Sequence, residues 1–330
     1  MRKPFKILSI DGGGIKGLYS AVVLARLEKV FKTLLSDKFD LICGTSTGGI
    51  LALAIAMKIP METAVKFYEQ KGPIIFDEQN KRSIWGKYYL YYKQILSKGK
   101  YKSIELEAAL KEVFGDKKIC DSNNLLCIPA YNVSMGQPRV FKKDYADLNA
   151  DDVKSCVEVA LATAAAPTYF PIKEINDTQY ADGGLWANNP TLVGLSEYMF
   201  KIAKMPDCDY DGVEILSISS VAFPKGETHK KLDRSFWDWK DSIFDIFPAG
   251  QASFESFFFK ELIPYLKFPV RYERVQNEML SGEYSNMITL DNASAKALKE
   301  LKVIGKKTAA DICTKSGIKD FFKTDKTFKI

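Results

Sequence analysis

The sequence predicts an α/β fold in which helices cover a parallel sheet. Three observations carry that expectation: short apolar runs of strand length, glycine-rich turns directly after two of them, and helical apolar spacing beyond each turn. Residues 5–10 (FKILSI) read as a buried strand, with Gly12, Gly13 and Gly14 as its turn. A helix over 16–35 follows, with Leu18, Val22, Leu24 and Leu27 at helical spacing. Residues 39–43 form the second strand, and 47–57 the next helix. Strand, turn, helix and strand in that order place neighbouring strands parallel, with the helices as crossovers. Further helices are expected over 61–70, 104–114, 152–163, 191–204 and 293–311, and further strands over 125–133, 179–181 and 213–219.

No repeat or linker divides the 330 residues, so one catalytic domain over 1–330 is expected, its core at about 5–225. The remainder, 226–330, is aromatic and basic. Its Phe236, Trp237, Trp239, Phe244, Phe247, Phe254, Phe257, Phe258 and Phe259 read as a lid, a regulatory subregion, or helices packed on the core. A content of 46% hydrophobic and 27% charged residues excludes a disordered or fibrous chain. No apolar run reaches the roughly 18 residues of a membrane span. Residues 5–10 contain Lys6, stop at Asp11 and are too short for a signal peptide, so the expected location is cytoplasmic.

Six scattered cysteines without a CxxC read as reduced thiols rather than disulfides or a zinc site. The single histidine, His229, excludes a multi-histidine metal site and reads as a solvated loop residue. No metal or cofactor is expected. A net charge of +6, from 47 basic and 41 acidic residues, is too mild for binding a DNA or RNA polymer. Basicity is local instead. Residues 80–103 hold seven Lys/Arg, no acid, Trp85 and five tyrosines, which suits an anionic lipid interface, a groove for a phosphate-bearing ligand, or a solvated helix with a buried tyrosine face. Residues 315–330 offer a second lysine-rich aromatic stretch, with Phe321, Phe322 and Phe328, or else a frayed terminus.

Three turns carry chemistry. In Gly44-Thr45-Ser46-Thr47-Gly48, a serine sits in G-x-S-x-G between an apolar strand and a helix. Small neighbours tolerate the strained turn that exposes such a hydroxyl, and the helix N-terminus favours developing negative charge. In Asp11-Gly12-Gly13-Gly14-Ile15-Lys16-Gly17, consecutive glycines let several N–H groups point at one oxygen, with Lys16 a nearby cation. The same residues fit the dinucleotide fingerprint, but the acid expected after the next strand is replaced by the serine turn; Leu18 excludes a P-loop. Asp182-Gly183-Gly184 places an acid at a strand end, where it can reach the neighbouring strand's tip.

GGGIKG, GTSTG and DGG in this order, with the segment AAAPTYFP at 164–171 ahead of the aspartate, resemble the patatin-like phospholipases. The resemblance covers about 5–190 securely. It implies a three-layer α/β/α sandwich, lipid acyl hydrolysis, Ser46 as nucleophile, Asp182 as its dyad partner, and Gly12, Gly13 and Gly14 as the oxyanion loop, with Lys16 and Thr47 in support. The opening FKILSIDGGGIKGLYSAVVLARLE is similar to bacterial patatin-like effectors of antiphage signalling. That likeness implies a cyclic-dinucleotide activator, membrane phospholipids as substrate, action at the inner membrane surface and assembly as a homo-oligomer. Two alternatives stay open: an α/β-hydrolase triad of Ser46, an acid and His229, and a non-catalytic nucleotide- or lipid-binding module whose glycine loop grips phosphate.

Overall fold

The computed structural model describes residues 3–328 except 82, 84, 85, 87–98, 207, 222–231, 234, 279–283, 285 and 286, with backbone alone for 236–238 and 240–245. Most of the 80–103 segment, and His229, therefore lie outside the described residues.

In chain order the elements are β1 (Phe5–Ile10), α1 (Gly17–Phe31), β2 (Leu41–Gly44), α2 (Thr47–Ala56), α3 (Met61–Ile75), α4 (Glu78–Lys81), α5 (Ser103–Phe114), β3 (Leu125–Asn132), β4 (Gln137–Lys142), α6 (Cys156–Thr163), β5 (Lys173–Ile175), β6 (Thr178–Asp182), α7 (Thr191–Phe200), β7 (Val213–Ile218), α8 (Phe236–Leu262), β8 (Val270–Val275), α9 (Ala295–Thr314) and α10 (Ser316–Phe321). The expected strands at 5–10, 39–43, 125–133, 179–181 and 213–219 all appear, shifted by a residue or two. Strands β4, β5 and β8 were not expected. The first helix is shorter than expected: Lys32 turns left-handed at φ 52°, ending it at Phe31. The third is longer, running through Pro73 to Ile75.

The strands form one sheet in the order β5-β6-β3-β2-β1-β7-β8, with β4 on β3. Strands β3, β2, β1, β7 and β8 are mutually parallel. Side chains along each strand alternate between two apolar cores, as the two-residue period of a strand requires. Leu8, Ile10, Ile42, Leu126, Ile128, Leu216 and Ile218 face the larger core, shared with α1, α2, α3, α5, α6 and α9. Phe5, Ile7, Leu41, Cys43, Leu125, Cys127, Val213 and Ile215 face the smaller one, closed by Leu195 and Tyr198 of α7 and Phe259 of α8. The result is a three-layer α/β/α sandwich. The region beyond 225 is built into it, because β8 pairs with β7 along its whole length and α9 packs on α1.

The arrangement around β3 positions the site. Cys127 pairs with Cys43 of β2 and with Lys142 of β4; Ala130 pairs with Arg139 of β4 and with Asp182 of β6. A strand has two edges, so β2 and β6 must share the edge that β4 leaves free. They run toward each other along it, β2 parallel and β6 antiparallel to β3. Their tips face each other across the short stretch of β3 between Cys127 and Ala130.

Candidate active site

Ser46 lies two residues beyond the tip of β2, and Asp182 is the last residue of β6. The Ser46 hydroxyl donates a 2.7 Å hydrogen bond to Asp182 Oδ2. Ser46 itself is strained, at φ 54° and ψ −123°, a region that costs on the order of 1–3 kcal/mol for a side-chain-bearing residue. The surroundings impose that conformation. The Ser46 N–H donates to Thr163 Oγ1 at 3.0 Å, and the Thr163 hydroxyl donates in turn to the Pro129 carbonyl of β3. Gly48 brings helix α2 against β1 so closely that a methyl group there would stand 2.3 Å from the Ile10 carbonyl oxygen.

Asp182 is buried, and burial raises its pKa to about 6, against the opposing pull of hydrogen bonds from the Gly184 N–H and the Ser46 hydroxyl. The Gly184 N–H bonds to Oδ1 at 2.6 Å, so each carboxylate oxygen has one donor. The Asp182 N–H donates to the Ala165 carbonyl at 2.9 Å, which ties the small-residue segment 164–171 to the carboxylate.

The glycine turn sits over this pair. A methyl on Gly12 would lie 3.3 Å from Ser46 Cβ and 2.6 Å from Asn188 Oδ1. The three glycines differ in what their amides do. Gly12 donates its N–H to the Asn188 carbonyl at 3.0 Å, whereas those of Gly13 and Gly14 have no partner among the described residues. Gly14 has φ 58° and presses on the Leu290 carbonyl, where a methyl would be 2.1 Å away. Lys16 stands beside the turn, its Cβ 3.5 Å from where a methyl on Gly13 would be. Thr47 opens α2, buried, its carbonyl accepting a 3.4 Å bond from the Tyr68 hydroxyl. All seven residues singled out in the sequence thus gather around one hydroxyl or brace the turns beside it.

Sequence reasoning missed the supports. Arg274 on β8 grips both oxygens of Asp11, one at 2.8 Å, and also bonds Ser217 Oγ at 2.6 Å, anchoring the root of the glycine turn. Helix α8 braces the loop after Asp182: Gln251 accepts from the Asn188 N–H at 2.6 Å and donates to the Trp186 carbonyl, and Glu255 accepts from the Leu192 N–H at 3.3 Å. Glu255 is buried, and desolvation lifts its pKa to about 8. The Asn-Asn-Pro run directly after the aspartate turn was the one local signal for this bracing; nothing near Arg274 marks its partner. Among the described residues, no group of three or more His, Cys, Asp or Glu side chains is placed to hold a metal ion, and no helix is long and apolar enough to cross a membrane.

A profile of the patatin-like phospholipases matches residues 8–195. A Pseudomonas aeruginosa protein named cGAMP-activated phospholipase is 33% identical over 310 residues, spanning 92% of this chain and 88% of its own. A Vibrio cholerae protein of the same name is 32% identical over 346 residues, spanning 98% and 96%. Patatin-like protein 2 of Oryza sativa subsp. indica is 28% identical, over 92% and 83%. With the profile covering more than half the sequence and these relatives aligning nearly end to end, the chain belongs to the patatin-like phospholipase family and is a lipid acyl hydrolase.

Proposed function

We propose that this hydrolase cleaves the fatty-acyl esters of membrane phospholipids with Ser46 as nucleophile and Asp182 as its base. The observation that carries this reading is the direct 2.7 Å bond between the two side chains at the mouth of a strained turn. Asp182 takes the hydroxyl proton as Ser46 Oγ bonds to the ester carbonyl carbon. The oxyanion lies under the N–H groups of Gly13 and Gly14, the two of the glycine trio left without a partner, while Gly12 closes the turn onto Ser46. Collapse breaks the ester C–O bond, and the leaving alcohol receives the proton from Asp182. Water then attacks the acyl-enzyme, Asp182 accepts its proton, and the fatty acid departs as Ser46 regains its own. A carboxylate with a pKa near 6 is a better base than an ordinary aspartate and is still mostly ionised at neutral pH.

Activation by a cyclic dinucleotide is the regulatory part of the proposal. Its support is that relatives at 30–33% identity over most of the chain carry that property in their names. The enzyme would then work at the face of a membrane that it visits rather than spans.

A fluorophosphonate probe should label Ser46 in the wild type and leave Ser46→Ala unmodified. Ser46→Ala and Asp182→Ala should each lose phospholipid hydrolysis by about three orders of magnitude or more while remaining folded. Substantial turnover by folded Asp182→Ala would end the dyad reading. His229→Ala should retain activity; its collapse would transfer the base role to an imidazole. Equal hydrolysis of vesicles with and without a panel of cyclic dinucleotides would remove the activation step alone.

A further inference from the structure

Over residues 246–258, helix α8 holds the protein through polar side chains and leaves its rings exposed; the ring it buries, Phe259, comes next. A helix on a globular protein normally turns its apolar stripe to the core and its polar side to water. Here the polar side chains face the protein: Gln251 holds the loop after Asp182 at Asn188 and Trp186, Glu255 is buried against the Leu192 N–H, and Ser256 Oγ lies 3.4 Å from Asn189 Nδ2. The rings face water. Phe247, Phe254 and Phe258, spaced seven and four residues apart on one stripe, are 69%, 63% and 42% exposed, and the last two stack at 5.9 Å. Folding gains nothing from rings left in solvent, so another surface has to account for them.

That surface can be named by its chemistry. Glu255 is the only ionisable residue in 246–258, and it is turned inward, so three turns of helix present no charge. Among the described side chains, exposed Lys260 and Lys267 follow the rings, with the exposed Glu261 between them, a net positive edge. An uncharged aromatic face with a net positive edge at one end suits an anionic lipid interface, where rings sink to the acyl boundary and ammonium groups meet headgroups. The face also adjoins the candidate active site. Phe247 and Phe254 lie one turn before and after Gln251, and α8 packs on the turn 183–185, whose Leu185 is itself exposed. The exposed rings therefore stand beside the loop that leads away from Asp182.

We propose that the Phe247, Phe254 and Phe258 face of α8 seats the enzyme on an anionic phospholipid bilayer and lays the mouth of the Ser46 site against the lipid. This rests on the phospholipase reading above. The stretch 315–330, expected from sequence as a docking surface, does not compete: Phe321 and Phe322 are buried in the larger core, so its rings are spent on folding.

The test uses the full chain, with and without cGAMP, on vesicles of phosphatidylethanolamine and phosphatidylglycerol. Wild type should sediment with the vesicles. Phe254→Glu/Phe258→Glu and Phe247→Glu should lower both vesicle partitioning and vesicle hydrolysis by about tenfold or more, since charge replaces rings that enter the interface. Hydrolysis of soluble p-nitrophenyl butyrate should not change. Ile104→Glu, at an exposed position on α5, should behave as wild type. Phe254→Ser/Phe258→Ser repeats the test without added charge and covers misfolding of the glutamate variants. Wild type that never partitions, or variants that partition as wild type does, would overturn the assignment. A wild-type dimer that falls apart in the variants with vesicle binding intact would also overturn it, giving the face to a second copy of the chain. Failure of wild type on both esters, with no fluorophosphonate labelling, would sink the phospholipase reading instead.

Discussion

In the proposed dyad, Asp182 is held between two demands, ionisation for proton transfer and neutrality for burial. Burial raises the carboxyl's pKa to about 6, and under the proposed mechanism only its ionised form can accept the Ser46 proton. Activity should therefore fall on a one-proton limb as pH drops through about 6, measured as kcat/KM on a soluble ester. The stability consequence has the opposite sense. A carboxyl whose pKa is raised by folding stabilises the fold most below the ordinary carboxylate value, and that contribution is lost as pH climbs through about 6. Asp182→Asn removes the loss, so this variant should exceed wild type by about 1–3 kcal/mol at pH 8, with the gain gone by pH 4. Urea unfolding at the two pH values reads both numbers. The Ser46 turn was legible in the sequence because a strained turn restricts its near neighbours: with 2.3 Å between a Gly48 methyl and the Ile10 carbonyl, no larger residue fits there. Thr163, which bonds the Ser46 amide from 117 residues away, is an ordinary threonine in an apolar helix and left no local trace.

The elements divide in the same way. Strands β1, β2, β3 and β7 were legible because they are central, buried on both faces and mostly apolar. Strand β8 was not, since VRYERV lies at an edge, half-buried, and its arginines and glutamate read as loop. Its importance comes from position: it brings Arg274 to Asp11, 263 residues away, and fixes the strand end from which the glycine turn springs. Arg274→Met should strand the buried Asp11 carboxylate and cost about 3–5 kcal/mol, with ester hydrolysis falling as the turn loosens. Asp11→Asn/Arg274→Met should recover most of that stability in thermal unfolding, because neither charge is then left alone. Strand β4 did carry a signal that went unused, a Gly136 at φ 66° in the tight connection from Asn132 to Gln137.

At the scale of the molecule, the two ends of the sheet have separate duties. The C-terminal ends of the parallel strands carry Ser46 and the glycine turn, while the N-terminal ends are closed by the chain's last residues. There the Lys6 ammonium bonds the carbonyls of Phe321 and Thr324, Asp40 accepts from the N–H groups of Thr327 and Phe328, and Phe322 stacks on Phe31 at 4.0 Å. Truncation after Thr314 should cost about 5 kcal/mol or more, by exposing Ile318, Phe321 and Phe322 to water and leaving Lys6 and Asp40 short of partners. A lowered urea midpoint would register it, and a truncated chain as stable as the full one would contradict this account of the closed end. The meeting of β2 and β6 along one side of β3 has a last consequence, for what evolution is free to change. The spacing between Ser46 and Asp182 is ruled off by the rungs of a third strand, so connecting loops can lengthen or shrink without disturbing it. Removing a single rung would shorten the gauge by about 3.3 Å and turn every following side chain to the other side, leaving each motif spelled correctly in a protein that has forgotten its measure.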